Sequence, residues 1–349
     1  MSTRVEAAID AILAGAITSR VFPGAVVEFG RADGPLLTRT AGSLTYAPEA
    51  APVDRRTIYD LASLTKVIGS ASLMARHVED GRMRLDDRVR RWITSWSGDD
   101  RQMVTLQDLL EHCSGLPGHR RYFESHVGRA AFERAICVEP LEYVPRTASI
   151  YSDPGFILLG FAMENAVGAS LDRQFDQWRE AELGSDVELR YRPSPEWLER
   201  VAPTEYTASG DVRCGEVHDE NAAALGGVAS HAGLFGTAAA VGACARWWMR
   251  SPSLQLFAAK TTVPHSSRAL AWDTMLPTSS CGTKMSPLAI GHTGFTGTSL
   301  WIDPAQDLYV TVLTNRVHPT REGDAIQDVR RAIHDAIVTG LQAAAGPGR

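Results

Sequence analysis

The chain is poor in lysine: only Lys66, Lys260 and Lys284 stand among its 35 basic residues. It has no long run of Lys or Arg, and acidic residues outnumber basic ones, 41 to 35. A basic face is therefore missing, which argues against a nucleic-acid partner. The five cysteines (Cys113, Cys137, Cys214, Cys244, Cys281) are odd in number and scattered, with no C-x-x-C spacing. A disulfide framework or zinc knuckle is not expected, and reduced thiols in a cytoplasmic protein fit better. No run of 18 apolar residues occurs, so no membrane span is expected. Three common enzyme signatures are also missing: G-x-S-x-G, H-E-x-x-H and the phosphate-binding G-x-x-x-x-G-K-[ST]. Neither a metal nor an organic cofactor is expected.

What is present is a globular composition, 44% hydrophobic and 22% charged over 349 residues. At the N-terminus, Val5, Ala8, Ile9, Ile12 and Leu13 follow helical spacing, while Glu6 and Asp10 interrupt any apolar stretch. This reads as an amphipathic helix rather than a signal peptide. Residues 24–30 read as a buried strand that pairs with 36–41. Helical patterns cover 64–78, 106–112, 156–167 and 238–249, with Gly and Pro at several of their ends. Strand patterns cover 288–292, 298–302 and 308–314, with 303–307 as a hairpin loop, and a closing helix follows over 325–343. The order predicts an α/β fold in which an antiparallel sheet is flanked by helices. Residues 1–60 and 266–349 would form this α/β sandwich, and 61–265 a mostly helical domain inserted in it.

One spacing bears chemistry. Ser63-Leu64-Thr65-Lys66 places a hydroxyl and an amine on one face of a helix. Ser63 would sit in the first turn, where free N–H groups favour an oxyanion. Taken alone, the spacing fits an ordinary N-cap serine and a surface lysine better.

Context reverses that reading. Tyr151-Ser152-Asp153 and His292-Thr293-Gly294 follow in order, and S-x-x-K, Y-x-N and K-T-G in that order mark penicillin-recognising serine hydrolases. Flanking segments carry the likeness further. They are VTLQDLLEHCSGLP at 104–117, DGRMRLDD at 80–87, YSDPGFILLG at 151–160 and GGVASHAGLFGTA at 226–238. Over residues 20–340 the chain resembles the class C β-lactamase-like branch. That branch includes DD-peptidases, D-aminopeptidases, family VIII carboxylesterases and some acyltransferases.

The resemblance implies Ser63 as the nucleophile that forms an acyl-enzyme. It implies Lys66 and Tyr151 as the proton-handling pair, with the ammonium favouring tyrosinate. The backbone N–H groups of Ser63 and Phe295 would hold the oxyanion, and His292, Thr293 and Gly294 would line the edge strand. Two residues depart from the pattern. Asp153 replaces the usual Asn, and pairing with Lys66 would keep the lysine charged and leave Tyr151 as the base. His292 replaces a lysine that would greet a substrate carboxylate, and a histidine there would be only partly charged. D-aminopeptidases and esterases resemble the chain at that position.

The expected function is hydrolysis of an ester or amide of a small acyl substrate, with at most weak β-lactamase activity. An acyltransferase, or a silent binding protein on the same scaffold, stays open. His112, Cys113 and His231 read as packed structural residues, residues 218–221 as a loop or cleft wall, and Arg316 or His318 as possible substrate contacts. Oligomeric state is not legible.

Overall fold

The computed structural model describes residues 3–207 and 209–345. Its strands are β1 (Gly24–Arg31), β2 (Gly34–Gly42), β3 (Tyr59–Asp60), β4 (Leu189–Tyr191), β5 (Leu234–Gly236), β6 (Asp273–Thr274), β7 (Ile290–Thr293), β8 (Ser299–Asp303) and β9 (Leu308–Thr314). Six of them form an antiparallel sheet in the order β2-β1-β9-β8-β7-β6. Strand β1 lies directly against β9, with Ala25 opposite Thr314, so the two chain ends share one sheet.

Alternation along the strands sorts the two faces. Ala25, Val27 and Phe29 of β1, Trp301 of β8 and Val310 and Val312 of β9 point to one face. They meet Val5, Ile9 and Leu13 of the helix Thr3–Thr18 and Ile333 and Ile337 of the helix Ile326–Ala345. Val26, Leu300, Ile302, Tyr309 and Leu313 point to the other face. There they share a core with Val241, Cys244, Ala245 and Trp248 of the helix Ala238–Arg250 and with the helices beyond it. That core runs without a break from the sheet into the middle of the chain. It also contains most of the helix Asp153–Val167, which starts at the Ser152 cap and stops at Gly168 in the left-handed region.

The serine-bearing helix differs from the expected regular one. A π-helical turn occupies Lys66–Ser70, and the α-helix proper is Ala71–Glu79. The Ala71 N–H bonds to the Lys66 carbonyl, five residues back, and the widened turn seats the Lys66 side chain in the core. Ser63 stands just before the first helical residue instead of inside the first turn, next to Ala62 at φ +47°. A small second sheet, β3-β5-β4, which sequence patterns do not reveal, anchors this turn.

The sheet tolerates little change beside the site. Gly291 of β7 faces Trp301 of β8, and a Cβ at Gly291 would overlap the buried indole. Gly291→Ala should lower stability by about 1–3 kcal/mol, the usual cost of overpacking. Chemical denaturation measures this. A change below about 0.5 kcal/mol would mean that Trp301 moves aside freely.

Candidate active site

Lys66 is fully buried and its ammonium is fully bonded. Nζ donates to Asp153 Oδ1 at 2.8 Å, to the His231 carbonyl at 3.1 Å and to Ser63 Oγ at 3.2 Å. Three donors meet three acceptors, which fixes the head group. The Tyr151 ring covers Nζ at 4.7 Å and the Phe156 ring at 5.5 Å.

Local sequence explains how these groups converge. Thr105 and Asp108 form a capping box on the short helix Leu106–Leu110. After it the chain turns through His112 at φ +56°, and the His112 ring packs on Tyr151 at 4.7 Å and on Phe156 at 4.9 Å. Its Nδ1 accepts the Ser152 N–H at 2.9 Å. The Ser152 hydroxyl donates to the Pro117 carbonyl at 2.7 Å, and the Asp153 N–H donates to the Gly118 carbonyl at 2.9 Å. The segment 112–118 thus cradles Tyr151-Ser152-Asp153. Asp153 opens the helix Asp153–Val167, where the positive helix end favours its charge.

Electrostatics follows from burial and from the pairing. Burial works against the Asp153 carboxylate, but the Lys66 ammonium, His119 and His231 outweigh it and hold the carboxyl well below its usual range. Burial also works against the Lys66 charge, yet Asp153 and Tyr151 raise its pKa above the ordinary lysine value. The two form a buried ion pair, as expected if Asp153 is ionised. His119 Nδ1 lies 3.4 Å from Asp153 Oδ2, and that contact raises the His119 pKa.

Two expectations need correction. Burial raises the Tyr151 phenol above its ordinary value despite the opposing pull of Lys66, so the resting residue is protonated and not a tyrosinate. His292 is not a partly charged cation. It is buried, and burial, Lys66 and Arg268 push its pKa down to about 3, so its ring is neutral. Nδ1–H donates to the Thr293 carbonyl at 2.8 Å, and Nε2 is left without a partner.

A cleft of about 640 Å³ opens in front of Lys66. Ser63, Tyr151, Asp153, His292, Thr293, Gly294 and Phe295 all line it, so the structure gathers every site residue expected from the sequence, with Lys66 directly behind. The Ser63 and Phe295 N–H groups have no backbone acceptor among the described residues. Sequence reasoning missed several cleft residues. Arg268 stacks over the Tyr151 ring at 5.1 Å. Asp219, in the segment 218–221 read as a loop or cleft wall, does line the cleft, and it bonds His231 Nε2 at 2.8 Å. Arg330, only 5% exposed, donates to the Gly294 and Thr298 carbonyls at 3.1 and 2.7 Å. No carboxylate pairs with Arg330 among the described residues, and burial pushes its pKa down to about 9. Arg316 donates to the Phe295 carbonyl at 2.9 Å and lines the cleft, whereas His318 turns away to the Thr204 carbonyl.

A serine bonded to a buried lysine, beside a tyrosine and the end of strand β7, defines a serine hydrolase that works through an acyl-enzyme. The chain belongs to the Beta-lactamase family, whose model matches residues 5–334. It is 29% identical over 309 residues to a putative D-alanyl-D-alanine carboxypeptidase of Escherichia coli (strain K12), covering 75% of this chain and 70% of that relative. A class C beta lactamase shares the fold at a TM-score of 0.78 and 18% identity, over 97% of this chain and 98% of the other. EstCE1, a hydrolase with promiscuous acyltransferase activity, shares it at 0.76 and 18%, over 96% and 98%. No single helix among the described residues is long and apolar enough to cross a membrane.

The neutrality of His292 is directly measurable. In NMR titrations of the imidazole nitrogens, His292 and the buried His112, whose pKa burial holds well below the ordinary value, should show no protonation between pH 5 and 8. A His292 midpoint above pH 6 would restore a partly charged cation on β7.

Proposed function

We propose that the enzyme hydrolyses an ester or amide of a small, carboxylate-bearing molecule through an acyl group on Ser63. The observation that carries this reading is the 3.2 Å contact between Lys66 Nζ and Ser63 Oγ at the floor of the cleft. Tyr151, once ionised, takes the Ser63 proton as Oγ bonds to the substrate carbonyl carbon. The oxyanion that forms is held by the Ser63 and Phe295 N–H groups. Collapse breaks the bond to the leaving group, which leaves with the proton held by Tyr151. Water then attacks the acyl carbon and gives its proton to Tyr151, and Ser63 regains one as the acid departs. The cations Lys66 and Arg268 favour the tyrosinate, but it is the minor form at neutral pH, so acylation quickens as pH rises.

The substrate class follows from charge. Asp153 is paired with Lys66, Asp273 with Arg268 and Glu220 with Arg321, and Asp219 is hydrogen-bonded to His231. Arg330 has only carbonyl partners, and its Nε is buried without one. A guanidinium of this kind at a cleft wall suits a substrate carboxylate. It does for the cleft what the lysine expected at position 292 would do. The free cysteines support a reducing, cytoplasmic setting.

A serine-directed fluorophosphonate should label the wild-type chain on the peptide containing Ser63, and Ser63→Ala should lose both labelling and turnover. Labelling elsewhere, or activity in Ser63→Ala, would overturn the assignment. An added alcohol or amine acceptor tells hydrolysis from acyl transfer in the same assay.

Arg330→Gln should cut kcat/KM for a carboxylate-bearing ester about tenfold more than for its neutral analogue. That corresponds to the loss of one charged hydrogen bond. Equal losses for both substrates would leave Arg330 only as a brace for the loop at Gly294.

A further inference from the structure

Asp60 lies three residues before Ser63, at the end of β3, and is almost fully buried. Its Oδ1 accepts the Ala62 N–H at 2.8 Å, and its Oδ2 accepts the His218 N–H at 2.6 Å. Its backbone carbonyl accepts the Thr296 hydroxyl at 2.7 Å, and the next carbonyl, of Leu61, accepts the Thr298 hydroxyl at 3.0 Å. Ala62 is held at φ +47°, a left-handed conformation that an alanine keeps only when its surroundings enforce it. One residue therefore ties together the turn that presents Ser63, the wall carrying His218 and Asp219, and the loop carrying Phe295.

We propose that Asp60 is a positioning residue for acylation: its carboxylate, by accepting the Ala62 and His218 N–H groups, and its backbone carbonyl, by accepting the Thr296 hydroxyl, set the Ser63 turn against the His218 wall and the Phe295 loop. This rests on the reading of Ser63 as the nucleophile. The Ser63 and Phe295 amides, carried by the turn and the loop joined in this way, are the proposed oxyanion donors, so a shift of a fraction of an ångström between them costs rate.

No ion pair offsets the charge of Asp60 among the described residues. Burial raises its pKa to about 6, with Asp219 adding to the rise and Arg213 opposing it. The segment 213–219 also carries Glu216, which is not among the groups that move the Asp60 pKa. The His218 ring turns towards Glu205 and is kept neutral by burial, and β5 and residues 294–298 contribute no charge. Because the folded pKa lies above the ordinary carboxylate value, the ionised form costs stability above that value, and protonation relieves the cost. Protonation also turns one acceptor oxygen into a hydroxyl, so the tie is complete only above about pH 6.

The test follows Ser63 labelling by a fluorophosphonate, together with kcat and KM for a p-nitrophenyl ester, from pH 5 to 9. The wild-type profile should steepen downward below about pH 6. Asp60→Asn should be about tenfold or more slower at pH 8, mostly in kcat, and should lose that added fall. Its Tm should stay within about 4 °C of wild type, because a buried charge has gone. Thr296→Val leaves Asp60 ionised. It should be slower yet keep the fall, and it tests the tie even if Asp60→Asn does not fold. Wild-type rates in either variant would overturn the proposal. So would a fall that persists in Asp60→Asn and vanishes in His119→Gln. A wild-type chain that never labels at Ser63 would instead defeat the functional reading, and this proposal with it.

Discussion

A lysine with no exposed surface stays charged only where the protein replaces the whole of its hydration, and the site is built around that requirement. The Lys66 ammonium has a carboxylate, a carbonyl and a hydroxyl as acceptors, each from a different segment. Asp153 comes from the start of a core helix, the His231 carbonyl from the loop before β5, and Ser63 from the turn after β3. Each segment must be in place before the ion pair is satisfied, so the pair registers the helical part of the chain against the nucleophile. Removing one partner of such a pair typically costs about 3–5 kcal/mol, because the other charge is left buried.

Asp153 also sets how the chemistry is shared. With asparagine there, a buried lysine would tend to lose its proton and serve as a base. With aspartate it is held protonated, and Tyr151 is the remaining group that can accept a proton from Ser63. Arg268 over the Tyr151 ring adds a second cation on the same phenol. The site therefore pairs a fixed charge with a phenol that burial keeps protonated at rest. His119 touches the far oxygen of Asp153, and the neighbouring Asp219–His231 pair carries the carbonyl that Lys66 needs.

Much of this was legible in the sequence wherever local rules decide. Ser63 and Lys66 are three apart, Ser152 precedes a helix that Gly168 ends, and short, mostly apolar runs bounded by turns mark β1, β8 and β9. What could not be read depends on groups distant along the chain. The strands β3, β4, β5 and β6 have two or three residues each, too few for a periodicity. The π turn at Lys66–Ser70 holds the buried Lys66 and Gly69, and no spacing in the sequence announces it. Arg330 and Arg268 reach the cleft from segments with no motif around them. The neutrality of His292 and the protonation of Tyr151 follow from burial, which spacing does not report.

The glycine of the third motif shows where the two kinds of information meet. Gly294 follows β7 and approaches the nucleophile turn so closely that a Cβ would lie 2.6 Å from the Leu61 carbonyl oxygen and would overlap the Thr298 hydroxyl. That hydroxyl is the one that bonds Leu61. A side chain at Gly294 would therefore push the Phe295 loop away from Ser63 and break the contact that sets their separation. The glycine is readable in the sequence as part of a short motif. Its physical reason is a backbone approach between residues far apart in the chain, and that approach brings Ser63 and Phe295, the proposed oxyanion donors, to the same side of one cleft.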